Sequence, residues 1–147
     1  MCAARLARAG VPAERIELEI TESVVIESMG GYLATLARLR SEGIRFTVDD
    51  FGTGYSSLKQ LHNFPTHKLK IGQKFVSGVL EDWNDPAMVR VTIDLAKDME
   101  MTVIVEGAET AAQVEFLRVL RCDQVQGFYF SRPLNSKDAT DFLRANK

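Results

Sequence analysis

Two adjacent carboxylates, Asp49 and Asp50, follow an apolar segment and precede a glycine turn. Residues 44–49 alternate apolar and polar side chains, as a β-strand does, and residues 51–54 are typical of a turn. Adjacent strand residues point to opposite faces, so both carboxylates can reach one site only if the strand breaks at Asp50. That geometry favours two metal ions, with Asp49 bridging them and Asp50 binding the second. Standing alone, such a pair would more often be a capped turn.

Further polar residues end the neighbouring predicted strands: Glu19 and Glu22 on the first, Lys70 on the third, Glu106 and then Glu109 on the fourth, and Gln126 on the fifth. Carboxylates gathered in one place repel each other unless a cation joins them or some are protonated. Oxygen ligands suit Mg²⁺, Mn²⁺ or Ca²⁺, and paired metals stabilise both the attacking and the leaving oxygen of a phosphoryl centre. Lys70 would hold the water or a phosphate oxygen as a point charge. These residues predict a divalent-metal site for phosphate chemistry.

Short strands alternate with helices along the chain, which predicts an α/β fold with a parallel sheet. We predict strands at residues 15–22, 44–49, 67–71, 102–106 and 123–127, and helices at 31–42, 55–62, 85–99, 111–120 and 136–145, with Asp85 and Ser136 as N-caps. A doubly wound nucleotide-binding sheet would carry a glycine-rich turn after its first strand, and none is present. Polar groups at the carboxyl ends of several strands instead favour a β/α barrel.

Alternation also sorts these side chains by face. Lys70 lies between Leu69 and Ile71, and Glu106 follows Val105, so the polar and apolar residues should occupy opposite faces. We expect the apolar face to meet the helices and the polar face to point into the mouth of the barrel.

The bulk composition is that of a soluble globular domain. Of 147 residues, 46% are hydrophobic and 26% are charged, which suits one compact domain. The formal net charge of −2 gives no overall basic field for a nucleic acid polymer. No apolar run reaches the roughly 18 residues of a membrane span, and the two cysteines have no paired spacing. A cytoplasmic protein, or a cytoplasmic piece of a larger one, fits best.

Five segments of this chain resemble those of the EAL-domain cyclic-di-GMP phosphodiesterases. They are Glu19-Ile20-Thr21-Glu22-Ser23, the run from Asp49 to Leu58, Lys70-Ile71, Glu106-Gly107-Ala108-Glu109-Thr110, and the run from Gln126 to Leu134. Their order and spacing agree across nearly the whole chain, so residues 1–147 are expected to be the C-terminal part of one EAL domain. The resemblance implies a modified β/α barrel that uses Mg²⁺ or Mn²⁺ to linearise cyclic-di-GMP to pGpG.

The resemblance also implies a role for each matching residue. Glu19, Asp49, Asp50 and Glu106 would be metal ligands, Lys70 would orient the catalytic water beside Glu106 and Asp50, Glu109 and Gln126 would support the site, and Glu22 would anchor the Asp49–Tyr55 loop, which couples dimerisation to activity in this family. Glu109 and Thr110 could equally cap the helix at residue 111. Arg132 could bind phosphate or make a surface contact.

The chain departs from the family pattern in two ways. The Glu-Ala-Leu signature and an asparagine ligand expected before Glu19 are absent, and Gly72 stands where the family usually has aspartate after Lys-Ile. Because a full barrel takes about 250 residues, we expect a partial TIM-like barrel that lacks about three N-terminal strands. Its two-metal site would be incomplete.

Two interpretations follow from these departures. The chain is either part of a cyclic-di-GMP phosphodiesterase, weakly active or inactive alone, or a degenerate module that binds cyclic-di-GMP or a protein partner. A partial barrel leaves two unpaired sheet edges, so we expect a homodimer or a larger association. A sensory or GGDEF domain upstream is compatible with the resemblance.

Overall fold

The structure is a computed structural model that describes residues 5–6, 8–27, 33–52, 61, 64–77 and 84–146. A 3-10 turn at Ala13–Arg15 precedes strands and helices that mostly alternate. The strands are β1 (Glu17–Thr21), β2 (Arg45–Phe51), β3 (Lys68–Ile71), β4 (Thr102–Glu106) and β5 (Gln124–Gln126); the helices are α1 (Glu22–Glu27), α2 (Leu33–Ser41), α3 (Lys74–Ser77), α4 (Asn84–Asp98), α5 (Ala111–Val119) and α6 (Ser136–Ala145). No helix within these ranges is long and apolar enough to cross a membrane.

The five strands form one sheet in chain order, β1-β2-β3-β4-β5, and every neighbouring pair is parallel. The prediction of five parallel strands alternating with helices is therefore confirmed. A doubly wound sheet would reverse its strand order at a switch point, whereas each strand here lies beside the next one in sequence. This succession is that of a β/α barrel, with β1 and β5 at the two edges of the described sheet.

The hydrophobic core lies on the helical face of the sheet. Strand residues alternate inward to this core, as period-two patterning predicts. The buried strand residues of this core are Val48, Phe51, Leu69, Ile71, Val103 and Val105, and the buried helix residues packed with them include Val76, Val89, Ile93, Ala96 and Leu117. The polar residues between them face the other side, where the candidate site lies.

Three sequence predictions of element ends were wrong. Glu22 does not continue the first strand but begins α1, and its carboxylate accepts a hydrogen bond from Gly52 N–H at 3.0 Å. Asn135 caps α6 in place of Ser136, since its side chain accepts from the N–H groups of Lys137 and Asp138. Helix α4 already includes Asp85, the predicted cap.

The start of α5 agrees with the sequence. Thr110 and Gln113 form a reciprocal capping box at the start of α5, which confirms the predicted cap of that helix. Of the predicted helix at residues 55–62 the structure describes only Leu61, which is helical and buried, and most of the loop after Asp50 lies outside the described residues.

Candidate functional site

The ammonium of Lys70 is the centre of the site. Its Nζ lies 2.6 Å from Glu106 Oε1, 2.8 Å from Glu19 Oε1 and 3.7 Å from Asp49 Oδ1. The side chain of Lys70 is only 8% exposed, whereas its acidic partners remain partly open to solvent. One cation from β3 thus gathers carboxylates from β1, β2 and β4.

Strand register explains why these residues meet. Thr21 pairs with Asp49, and Lys70 pairs with Ile104, so the carboxyl ends of the parallel strands stand side by side. Glu19, Asp49 and Lys70 each lie on the face opposite the core, where long side chains can converge across the sheet. The structure thus brings together four of the residues singled out from the sequence.

A second polar layer lies on the same face of the sheet, two residues earlier in each strand. Glu17 accepts hydrogen bonds from the Thr47 hydroxyl and from Lys68 Nζ. Burial raises the pKa of Glu17, but the hydrogen bonds from Thr47 and Lys68 outweigh it and hold that pKa below its ordinary range. This layer joins β1, β2 and β3 directly beneath Lys70 and Glu19.

Electrostatics keep Lys70 charged. Burial lowers the pKa of Lys70, but hydrogen bonds to Glu106 and Glu19 outweigh it and raise that pKa well above the ordinary value. In this arrangement Lys70 is a cation at neutral pH and donates hydrogen bonds to Glu106 and Glu19. Its orientation comes from Glu19 and Glu106, so the missing aspartate at Gly72 does not leave the lysine without a partner.

Asp50 lies beside this cluster and not within it. Its φ of 54° is left-handed, and the pairing of β2 with β3 shifts register between Val48 and Phe51. The N–H of Asp50 donates to Asp49 Oδ1 at 2.9 Å. The predicted end of the strand at Asp50 was wrong, because β2 continues to Phe51 and its alternation is interrupted by a bulge instead.

The oxygen ligands of this cluster are of the type that a hard divalent cation prefers. Glu19, Asp49 and Glu106 are carboxylates from three strands that share a single ammonium, so with all of them ionised two negative charges remain. Within the described ranges, no three His, Cys, Asp or Glu side chains are already arranged to hold a metal ion. The carboxylates would have to turn from Lys70 to close around one.

A cleft of about 170 Å³ opens next to Glu106. Glu109 and Gln126, the predicted supporting residues, line it together with Gln73 and Phe128. Gln73 Nε2 lies 3.4 Å from Glu109 Oε1, and the guanidinium of Arg132 lies 5.0 Å from the centre of the Phe128 ring. Arg132 thus makes a cation–π contact at the rim of the cleft.

Sequence reasoning missed Gln73 and Phe128. Their positions in the sequence could have indicated them, because Gln73 comes two residues after β3 and Phe128 comes directly after Gln126-Gly127. Two glycines allow neighbouring segments to approach closely at these points. A Cβ at Gly107, whose φ is +81°, would overlap Gln73, and one at Gly127 would overlap the backbone of Ala108.

Glu22 lies apart from the Lys70 cluster. It is 3% exposed, and its bond to Gly52 N–H ties the start of α1 to the turn after β2. This contact fits an anchor of the loop after Asp49 and Asp50. Residues 53–55 of the predicted loop lie outside the described residues.

Comparison with known proteins gives a consistent result. The sequence model of the EAL domain family matches residues 2–133. The chain is 39% identical over 140 residues to the cyclic di-GMP phosphodiesterase NbdA of Pseudomonas aeruginosa, which covers 95% of this chain and 18% of that protein. The chain thus spans less than a quarter of the curated relatives it matches first.

Solved structures share the fold. The PaMucR phosphodiesterase in complex with c-di-GMP superposes with a TM-score of 0.88 at 35% identity, over 92% of this chain and 55% of that one. BlrP1 of Klebsiella pneumoniae, in a complex with manganese and c-di-GMP, gives a TM-score of 0.83 at 32% identity, over 90% of this chain and 34% of that one.

Proposed function

Because this chain belongs to the EAL-domain family, we propose that it carries the centre of a metal-dependent phosphodiesterase site that hydrolyses cyclic-di-GMP to pGpG. The observation that carries the proposal is the contact of the Lys70 ammonium with carboxylates from β1, β2 and β4. Such a convergence at the carboxyl ends of parallel strands is where β/α barrels place their chemistry. Relatives of known structure bind c-di-GMP, one of them together with manganese.

The residues have distinct parts in this proposal. Glu19, Asp49, Asp50 and Glu106 hold Mg²⁺ or Mn²⁺, which supplies activation of water and stabilisation of charge on the phosphoryl oxygens. Lys70 holds the attacking water or a phosphate oxygen by a charged hydrogen bond.

The cleft beside Glu106 suits the rest of a nucleotide. It offers the carboxylate of Glu109, the amides of Gln73 and Gln126, and the ring of Phe128. Amides and carboxylates pair with the edges of a base, and an aromatic ring stacks on its face. The proposal therefore places the scissile phosphate near Lys70 and other parts of the ligand in this cleft.

A second candidate is a receptor that binds cyclic-di-GMP without hydrolysing it. The observation that favours it is the arrangement of the carboxylates around Lys70, with no three acidic side chains of the described part already grouped for a metal. In this case the cleft would bind the nucleotide and the site would stay inactive.

The experiment is calorimetric titration with cyclic-di-GMP in the presence of Ca²⁺, followed by measurement of pGpG with Mg²⁺ or Mn²⁺. Both are made on the 147-residue chain and on the chain extended upstream. Turnover by the extended chain supports the phosphodiesterase, and binding without turnover in both supports the receptor. Absence of binding in both contradicts the two candidates and leaves a protein-interaction role.

The proposal also includes a cytoplasmic location and self-association of the chain. The exposed side chains around β5 are consistent with association, since Phe128, Tyr129 and Phe130 are each about half exposed.

A further inference from the structure

Gln113 is a glutamine of α5 that is only 7% exposed and uses both ends of its side-chain amide. Its Oε1 accepts hydrogen bonds from the backbone N–H groups of Glu109 and Thr110, at 2.8 and 3.0 Å. Its Nε2 donates to the backbone carbonyl of Val76 at 3.0 Å. In a capping box the glutamine only has to accept from the residue before its own helix, so the cap does not account for the bond to Val76.

The hydrogen bonds of this amide join two segments that are distant in sequence. Glu109 lies in the loop between β4 and α5, whereas Val76 lies in α3, which follows β3. The N–H of Val76 in turn donates to the carbonyl of Gln73 at 2.9 Å. Gln113 is therefore linked through backbone groups both to Glu109 and to the turn that carries Gln73.

Gln73 and Glu109 both line the cleft beside Glu106. Gln73 Nε2 lies 3.4 Å from Glu109 Oε1, but this contact is exposed and long, so it does not fix the distance between the two segments. The bonds of Gln113 hold the backbone on both sides, and the bond to Val76 is buried. A buried carbonyl that lost its donor would be costly, which favours keeping this link closed.

The described residues that line the cleft do not include Gln113. Its amide bonds to backbone groups, whereas the ion pairs of Lys70 are made with Glu19, Asp49 and Glu106. A change at Gln113 should therefore alter the cleft and leave the Lys70 cluster in place.

We propose that Gln113 is a positioning residue that holds the two sides of this cleft, the Gln73 turn and the Glu109 loop, at a fixed separation for the nucleotide. The inference rests on the proposed function, in which this cleft receives part of cyclic-di-GMP. Without Gln113 the ligand itself would have to order the two segments, and the free energy this takes would be lost from binding.

The test compares Gln113→Glu with Thr110→Ala in the chain extended upstream. Gln113→Glu keeps the acceptor of the capping box but replaces the donor to Val76 with an oxygen. Thr110→Ala does the reverse, because it removes the hydroxyl that caps Gln113 N–H and leaves every bond of the Gln113 amide in place. The two variants thus separate the cap of α5 from the link between the two sides of the cleft.

Affinity for cyclic-di-GMP is measured by calorimetric titration with Ca²⁺, and KM and kcat are measured for pGpG formation with Mn²⁺. We expect Gln113→Glu to weaken affinity and raise KM by about tenfold, the size of one hydrogen bond, with kcat unchanged. Thr110→Ala should lower stability against urea, as the loss of a cap does, and bind cyclic-di-GMP as the wild type does.

Two results would overturn the inference and leave the proposed function standing. They are wild-type affinity in Gln113→Glu, and an equal loss of affinity in Thr110→Ala, since the cap alone would then account for Gln113. If the wild-type extended chain binds no cyclic-di-GMP, the inference fails together with the proposed function.

Hydrogen exchange of the wild type tests the same point without a substitution, and it decides the matter if Gln113→Glu does not fold. The N–H groups of Glu109 and Thr110 should exchange slowly in the ligand-free chain and gain little protection from cyclic-di-GMP, because Gln113 already holds them. Fast exchange of both before the ligand is added, and slow exchange afterwards, would overturn the inference, since the ligand would then order this side of the cleft.

Discussion

Replacing Lys70 with methionine should destabilise the chain and make it bind Mn²⁺ more tightly. The change keeps a stem of similar length but removes the charge that faces Glu19, Asp49 and Glu106. The three carboxylates then repel one another without a compensating cation. A divalent metal ion would relieve this repulsion.

The magnitude follows from the contacts. Glu106 lies 2.6 Å from Lys70 and is 26% exposed, so this charged hydrogen bond contributes about 1.5–3 kcal/mol. Glu19 is 52% exposed, so its contact is discounted for solvent to about 0.2–1 kcal/mol. Asp49, at 3.7 Å, is beyond hydrogen-bond distance. The free energy of unfolding should therefore fall by about 2–4 kcal/mol.

Urea denaturation of the wild type and of Lys70→Met, with and without Mn²⁺, measures both effects. The matched control is Lys137→Met, which removes an exposed lysine from α6. A metal ion at 100 times its dissociation constant raises the free energy of unfolding by about 2.7 kcal/mol. At the same Mn²⁺ concentration, this increase should be larger in Lys70→Met than in the wild type.

The pH dependence gives a further check on the same variant. The pKa of Lys70 is raised in the folded chain, so its contribution is fully present below the ordinary value of 10.5 and is lost only as the pH rises through the folded value. The difference in the free energy of unfolding between the wild type and Lys70→Met should therefore be constant from neutral pH up to about 10.5 and should shrink above it. If Lys70→Met lowers the free energy of unfolding at neutral pH by less than about 0.5 kcal/mol, the size of an ordinary surface change, the reasoning is refuted.

Three other outcomes are expected. Glu17→Gln should flatten the loss of stability in acid, because the lowered pKa of Glu17 makes its contribution present above the ordinary value of 4.5 and lost as pH falls through the folded value; equal acid slopes in urea titrations would contradict this. Burial raises the pKa of Cys122 from 9.0 to about 11. With Cys2 replaced by serine, iodoacetamide at mildly alkaline pH should therefore alkylate Cys122 about a hundredfold more slowly in the folded chain than in urea. Similar alkylation rates in the two conditions would contradict this prediction. The chain should associate through its exposed sheet edges and the aromatic side chains around β5, and a monomer in light scattering at all concentrations would argue against association.

Period-two patterning carries most of what the sequence could predict about the fold. Leu69 and Ile71 are buried among the helices, and Lys70 between them faces the acidic cluster. Parallel pairing then places the ends of successive strands side by side, so Glu19, Asp49 and Glu106 could be assigned to one site before any coordinates. These inferences depend on local alternation and on chain order alone.

The remaining features depend on contacts between distant residues. The carboxylate of Glu22 accepts a hydrogen bond from Gly52, which lies thirty residues later in the chain. Gln73 enters the cleft because Gly107 leaves room for it, and Asp50 lies over Gly72 because of a bulge. No local pattern encodes such pairings, since each needs the sheet to be assembled first.

The sequence predicted a divalent metal ion among the carboxylates, but it did not predict that Lys70 contacts them directly. Repulsion among them predicts a cation, but it does not distinguish a metal ion from an ammonium. In the structure Lys70 itself takes that place, in contact with Glu19 and Glu106. Its charge and the oxygen ligands around it are compatible with both hydrolysis and ligand binding.

The most direct measurement of the central claim is the rate of pGpG formation from cyclic-di-GMP by the upstream-extended chain with Mn²⁺, compared between wild type, Lys70→Met and Lys137→Met. We predict turnover by the wild type and by Lys137→Met, and a fall of at least about a hundredfold in Lys70→Met, the usual effect of losing a charged group that acts at the reacting centre. Equal rates in the wild type and Lys70→Met would contradict the assignment of Lys70 and its carboxylates as the hydrolytic centre.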